Sequence, residues 1–336
     1  MLHADKLLPC KLEDANKIIN EFVNNQAKNM DPATNVRKLA ELAASMLLAC
    51  SAAGDLQATL QILNAVYYSS NAYNMPKAVD IARLFTPKDI SDCRRMLEQL
   101  AEGNDGKPEA KGDANAMTLH GKLLELAGKH QEAKYFYEKA LKRYNTKIYR
   151  GYPHPMALPW LTPWLEFANL EKASEAPRYV KIFQALEFGA LKADDPMAYY
   201  KLASMQTDEK AEWLEYMTKA AASGHSEAMY KLGRFYLKAN EHASAFLNSA
   251  KLRKVLKFVV SWRPNATADF GMEWLRAAAL GGHKPALMEM AQLHEKKGEQ
   301  EQARDCLRAV ASEPLGGIPE EWPHLVLQAR KQLDAL

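Results

Sequence analysis

The sequence predicts an all-α protein, and three observations predict it. Alanine occurs 52 times against ten valines and eight isoleucines; alanine is the best helix former, whereas β-branched residues favour pleated sheets. A segment marked by alanines and one glycine recurs along the chain. A capping residue followed by a proline, the signature of a helix start, occurs at Thr86-Pro87 and Asp195-Pro196.

Residues 1–100 carry helical pairs of no special pattern, such as "DLQATLQILNAVYY" and "MPKAVDIARLF". Residues 101–115, "AEGNDGKPEAKGDAN", are polar and poor in apolar side chains, and read as a surface loop. Recurrent segments dominate residues 116–336 at irregular spacing, so insertions intervene, and one continuous array is expected. A connector at 150–164 interrupts them, its prolines alternating with Tyr152, Trp160 and Trp164. Aromatic anchors of this kind serve either to dock a partner or to pack back on the protein. A second interruption, near 249–263, is an amphipathic helix in which Lys251, Arg253, Lys254 and Lys257 accompany an aliphatic face. Such a helix binds an anionic surface, or simply docks its apolar face and leaves its cations in water.

Among the recurrent segments the clearest pair is "YMTKAAASGHSEAMYKLG" and "WLRAAALGGHKPALMEMA", which align at a shift of 58 residues. Ala220, Ala221, Gly224, His225 and Ala228 fall on Ala278, Ala279, Gly282, His283 and Ala286. Echoes begin at Asp113 and Asp194, with Ala116 and Ala198 in the place of Ala228. The pattern is a helix, a glycine and a second helix. Tyr216, Met217, Ala220 and Ala221 form one apolar stripe, and Ala228, Leu232 and Tyr236 another. Gly224 is positioned as a C-terminal cap, where a left-handed residue is needed. Ala228 and Gly233 let two helix axes approach closely. Gly224-His225 is thus expected to be a joint and not a phosphate cradle, since no strand and no Gly-Lys-Ser/Thr triplet accompanies it.

These residues resemble the Sel1-like repeat, a relative of the tetratricopeptide repeat. The resemblance rests on Lys210-Ala211, Tyr216-Met217, Lys219-Ala220-Ala221, Gly224, Ala228, Leu232-Gly233 and Tyr236. In the later copy Met290-Ala291 replaces Leu-Gly. "HQEAKYFYEKALKR", from His130, is similar to the second helix of an ordinary tetratricopeptide repeat, and "EQARDCLRAVA", from Glu301, is a weaker version. The resemblance implies a right-handed superhelical α-solenoid of antiparallel helix pairs, made irregular by insertions. It further implies that Thr118, Lys122, Tyr200, Ser204, Tyr230, Arg234, Met288 and Gln292 face the concave side and meet a protein partner. The set lacks the paired-lysine clamp with which some tetratricopeptide domains hold a terminal carboxylate.

The remaining chemistry narrows the function classes. The 44 basic and 41 acidic residues nearly cancel, so no global field draws nucleic acid or an anionic membrane. Cys10, Cys50, Cys93 and Cys306 lie far apart and form no zinc or disulfide pattern, as expected of buried thiols in a reducing compartment. The N-terminus lacks the apolar core of a signal peptide, and the apolar, uncharged run Leu42 to Gly54 is too short to span a bilayer. An intracellular, soluble protein of the cytosol or of an organelle interior such as the mitochondrion is expected. No nucleophile, metal-ligand or nucleotide motif is present, so no catalytic residue, metal, cofactor or small-molecule substrate is expected. The leading expectation is a non-catalytic scaffold or adaptor, a subunit or assembly factor of a larger complex. The alternative is an RNA-associated helical-repeat protein that uses the basic helix around 251–257.

Overall fold

The computed structural model describes residues 35–70, 76–103, 112–144, 161–208, 210–241, 254, 266–312 and 320–335. Every described element is helical, with no strand among the described residues. The connector at 150–160, the polar run 104–111 and Lys251, Arg253 and Lys257 lie outside the described residues, and of the basic helix only Lys254 is described, exposed and helical.

The chain divides into two units, Met1–Ala185 and Leu186–Leu336. In the first lie α1 (Asn35–Ala52), α2 (Leu56–Ser70), α3 (Pro76–Ala82), α4 (Pro87–Glu102), α5 (Ala114–Leu126), α6 (His130–Arg143) and α7 (Pro163–Lys172). Helix α8 (Tyr179–Ala193) runs across the boundary. The second unit holds α9 (Pro196–Ser204), α10 (Ala211–Ala222), α11 (Ser226–Glu241), α12 (Ala266–Leu280), α13 (Lys284–Lys296), α14 (Gln300–Ala311) and α15 (Pro323–Ala335).

Within each unit, most helices that follow one another pack together, most extensively in the pairs α5–α6, α9–α10, α11–α12 and α13–α14. Packing also reaches one helix further, with α2 against α4, α5 against α7 and α13 against α15, and two further with α2 against α5. The first unit is built around Leu47, Ile62, Leu63, Leu97, Met117 and Leu119. The second is built around Leu275, Ala278, Met288, Ala291, Leu307 and Val310.

The four segments that align in sequence share their local geometry. Ala116, Ala198, Ala228 and Ala286 are all fully buried. Five residues on, Gly121, Ala203, Gly233 and Ala291 are again small and buried. The small residue is what permits the close helix crossing. A Cβ on Gly121 would fall 2.6 Å from the Tyr137 ring of the paired helix.

The joint before each of these helices combines two caps. Gly224 (φ +94°) and Gly282 (φ +80°) adopt the left-handed conformation that a side chain disfavours. The N–H of Gly224 donates to Ala221 O (3.0 Å) and that of His225 to Ala220 O (3.1 Å), which ties off the end of α10. His225 then caps the next helix, its Nδ1 accepting from the Ala228 N–H at 3.2 Å. His283 does the same for α13, accepting from the Ala286 N–H at 3.2 Å. In the other two segments an aspartate takes this place: Asp113 accepts from Asn115 and Ala116, and Asp195 from Met197. Thr86 and Asp89 complete a reciprocal capping box at α4. The same joint recurs at Gly54 (φ +89°), where Asp55 caps Ala58 at 2.7 Å and Ala58 is fully buried. Residues 1–100, in which the sequence shows helical pairs of no special pattern, therefore hold a copy of the joint.

Candidate functional site

A groove of about 580 Å³ lies in the second unit. Its walls are α11 and α13, and Asp208, which follows α9, and Trp213 of α10 complete it. The apolar stripe Ala228, Leu232, Tyr236 turns α11 inward, so the residues between those positions face outward at helical spacing. Lys231, Arg234 and Lys238 line the groove from α11, and Glu289, Gln292 and Lys296 from α13. The apolar part of the lining is Trp213, Phe235, Leu237 and Leu293. Trp213 and Phe235 are buried, their rings 5.1 Å apart.

The groove's charges are partly matched. Asp208 Oδ2 lies 3.1 Å from Lys238 Nζ, and Glu289 Oε2 lies 3.3 Å from Arg234 Nε. Arg234 is 60% exposed and also lies over the Tyr230 ring, 5.7 Å from its centre. Lys231 donates to the Tyr200 hydroxyl at 2.7 Å and pairs with Glu227 at 3.5 Å. Burial works against its charged form, but Tyr200 and Glu227 outweigh burial and hold its pKa above the usual value. Burial pushes the Tyr230 phenol up to about 12, so it stays protonated at neutral pH.

Of the residues expected on the concave side, Arg234 and Gln292 line this groove. Tyr200 and Tyr230 flank it at half-buried positions. Tyr200 stacks on His225 with ring centres 4.4 Å apart, and Tyr230 lies against His283 at 4.9 Å. Ser204 is exposed, its hydroxyl turned back to the Tyr200 carbonyl. The other three lie inside the protein. Thr118 is fully buried and donates to Ala114 O at 2.6 Å, and Met288 is part of the second core. Lys122 is 5% exposed, its Nζ 2.6 Å from Glu166 Oε1 and over the rings of Tyr67 and Tyr68. Here α2 and α7 both pack on α5 and cover the face that the repeat pattern would leave open. Burial disfavours the Lys122 ammonium, but Glu166 outweighs it and the pKa lies above its ordinary value. A lysine so protonated is a structural cation and not a nucleophile.

The joint histidines are structural too. His283 is buried, with Nε2 2.7 Å from Glu227 Oε2. Its Nδ1 accepts the Ala286 N–H, so Nε2 carries the proton and donates it to Glu227. The hydrogen bond from His283 holds the Glu227 carboxyl below the usual range, against burial. The pair resembles a catalytic dyad, but its basic nitrogen is occupied by backbone and has no lone pair left for a substrate proton.

Elsewhere, Cys50, Cys93 and Cys306 are buried thiols, and burial raises the pKa of Cys93 and Cys306. Among the described residues no group of three His, Cys, Asp or Glu side chains gathers as a metal site. No described helix is long and apolar enough to cross a membrane. Trp164 of the connector is buried, edge-on to Tyr144 at 4.9 Å.

The resemblance to the repeat points to Arg234 and Gln292 but not to Lys231, Lys238, Glu289 and Lys296. Their signal was present: Lys231, Arg234 and Lys238 recur at one-face spacing opposite the alanine stripe. No family model matches the chain, and no curated protein matches it.

Proposed function

We propose that this chain is a non-catalytic adaptor, a subunit or assembly factor that holds a partner protein along the concave face of a right-handed α-solenoid. Its antiparallel helix pairs are read as Sel1-like, and its place of work as the cytosol or an organelle interior. The observation that carries the reading is the groove between α11 and α13, two helices that open with the same glycine–histidine joint. Helical-pair arrays present their first helices to a shared binding surface, and α11 and α13 hold that position in their pairs. The groove mixes cations, carboxylates, an amide and a partly apolar lining, groups that can meet both the charged and the apolar side chains of a polypeptide.

Affinity purification of the full chain from its native source, at moderate salt and with nuclease treatment in parallel, tests the proposal. A defined set of proteins that persists after nuclease supports the adaptor. Loss of all partners on nuclease treatment, or an eluate dominated by RNA, sinks it in favour of an RNA-associated protein.

A further inference from the structure

We infer that the groove between α11 and α13 receives an extended acidic segment of its partner, with an apolar side chain set between two carboxylates. The inference rests on the adaptor reading and names the chemistry of the partner.

Four cations line the groove, Lys231, Arg234, Lys238 and Lys296, against two carboxylates, Asp208 and Glu289. Both carboxylates are taken up, by Lys238 and Arg234, and Lys231 is held by Glu227 beside the groove, so Lys296 is the lining cation whose charge these pairs do not offset. Those two ion pairs are solvent-exposed at the cationic end, with Arg234 at 60% and Lys238 at 48%. Exposed pairs of this kind are weak, so a ligand carboxylate exchanges into them at small cost. Lys231 to Lys238 spans seven residues of helix, about 10 Å of rise. An extended chain covers that distance in about three residues at ~3.3 Å each. Two carboxylates about three residues apart therefore reach both ends of the cationic stripe, and a side chain between them meets Leu237 and Leu293.

A nucleic-acid strand fits the same cations less well. Asp208 and Glu289 are interleaved with them and repel a backbone that carries a charge on every nucleotide. Single strands also bind by stacking bases on exposed aromatic faces, and Trp213 and Phe235 are only 6% and 2% exposed.

The test is selection of a display library of random peptides, about twelve residues long, on the immobilised full chain. Asp and Glu flanking an apolar residue are expected to be enriched. The selected peptides should bind Arg234→Gln/Lys296→Gln about tenfold more weakly and lose affinity as salt rises. The charge-conserving Arg234→Lys/Lys296→Arg should keep most of the affinity, and it carries the test if the neutralised protein does not fold. Enriched peptides without acids, binding unaffected by neutralisation, or no enrichment at all would overturn the inference. So would an oligouridine probe that displaces the peptides and is lost with the same substitutions. Native partners that survive nuclease and bind wild type and neutralised protein alike remove the acidic-segment inference and leave the adaptor intact. Absence of any such partner removes the adaptor itself.

Discussion

Gly233 of α11 and Gly271 of α12 meet backbone to backbone. A Cβ on Gly271 would lie 2.9 Å from the Gly233 carbonyl oxygen, and one on Gly233 would lie 3.0 Å from that of Gly271. Leu275 and Leu237 crowd the same crossing, each within 3 Å of one of these positions. Backbone is among the nearest atoms at both positions, and it cannot move without separating the two helices. The groove wall formed by α11 is therefore set by this contact.

Gly271→Ala is expected to destabilise the second unit by about 1–3 kcal/mol, the cost of overpacking a tight core. Ala222→Ser, on the exposed side of α10, should stay within about 0.5 kcal/mol. Urea denaturation followed by circular dichroism separates the two. Equal stability of the two variants would mean that the helix crossing yields easily.

Asp194 occupies the place of Gly224 and Gly282 in its own joint, and it is the one non-glycine residue with positive φ (56°) among the described residues. A left-handed residue with a Cβ costs about 1–2 kcal/mol, and glycine gives back part of that gain through its more flexible unfolded chain. Asp194→Gly is expected to stabilise by about 0.5 kcal/mol, since its side chain is exposed. Gly224→Ala should destabilise by about 1 kcal/mol. Opposite shifts in melting temperature check this. Shifts of the same sign would show that the joint is not governed by φ.

What could be read from sequence divides along physical lines. Helix existence, the alanine stripes and the Gly224 cap were legible because each depends on residues within one or two turns. The joint at Gly54-Asp55 was not, because a helix cap needs only an acceptor and a left-handed residue. Asp, His, Gly and even Asp194 satisfy those needs with different letters. The burial of Thr118 and Lys122 was also hidden. It depends on α2 and α7, which lie far along the chain and close over α5. The groove was half visible: Arg234 and Gln292 follow from the resemblance to the repeat, whereas the Arg234–Glu289 and Lys238–Asp208 pairs join residues 30 or more positions apart.

His283 caps α13 with one nitrogen and donates to Glu227 with the other. His283→Ala removes both bonds and is expected to cost on the order of 2 kcal/mol. His283→Asn keeps a cap acceptor and should cost about half as much. Chemical denaturation of the two variants tests the order. If His283→Asn is as damaging as alanine, the cap contributes nothing and the Glu227 bond carries the effect.

Glu171 is a fully buried carboxylate at the end of α7. Arg178 reaches it with Nε at 2.7 Å, Nη2 at 3.1 Å and its backbone N–H at 3.0 Å, and Lys134 of α6 pairs with it as well. The Arg178 side-chain hydrogen bonds, with help from Lys134 and against burial, lower its pKa from 4.5 to about 2. A depressed carboxylate stabilises the fold above its unfolded pKa and ceases to do so as pH falls through the folded value. The Glu171 contribution is therefore complete above about pH 4.5 and fades between there and about pH 2. Glu171→Gln cannot be deprotonated and should cost on the order of 2 kcal/mol at pH 7, a value moderated by the half-exposed arginine. The difference in stability between wild type and Glu171→Gln is expected to be constant from pH 7 to 5 and to shrink below pH 4.5. Melting curves of both proteins across that range measure it, and a difference that stays constant down to pH 2 would show that Glu171 is not the group that titrates.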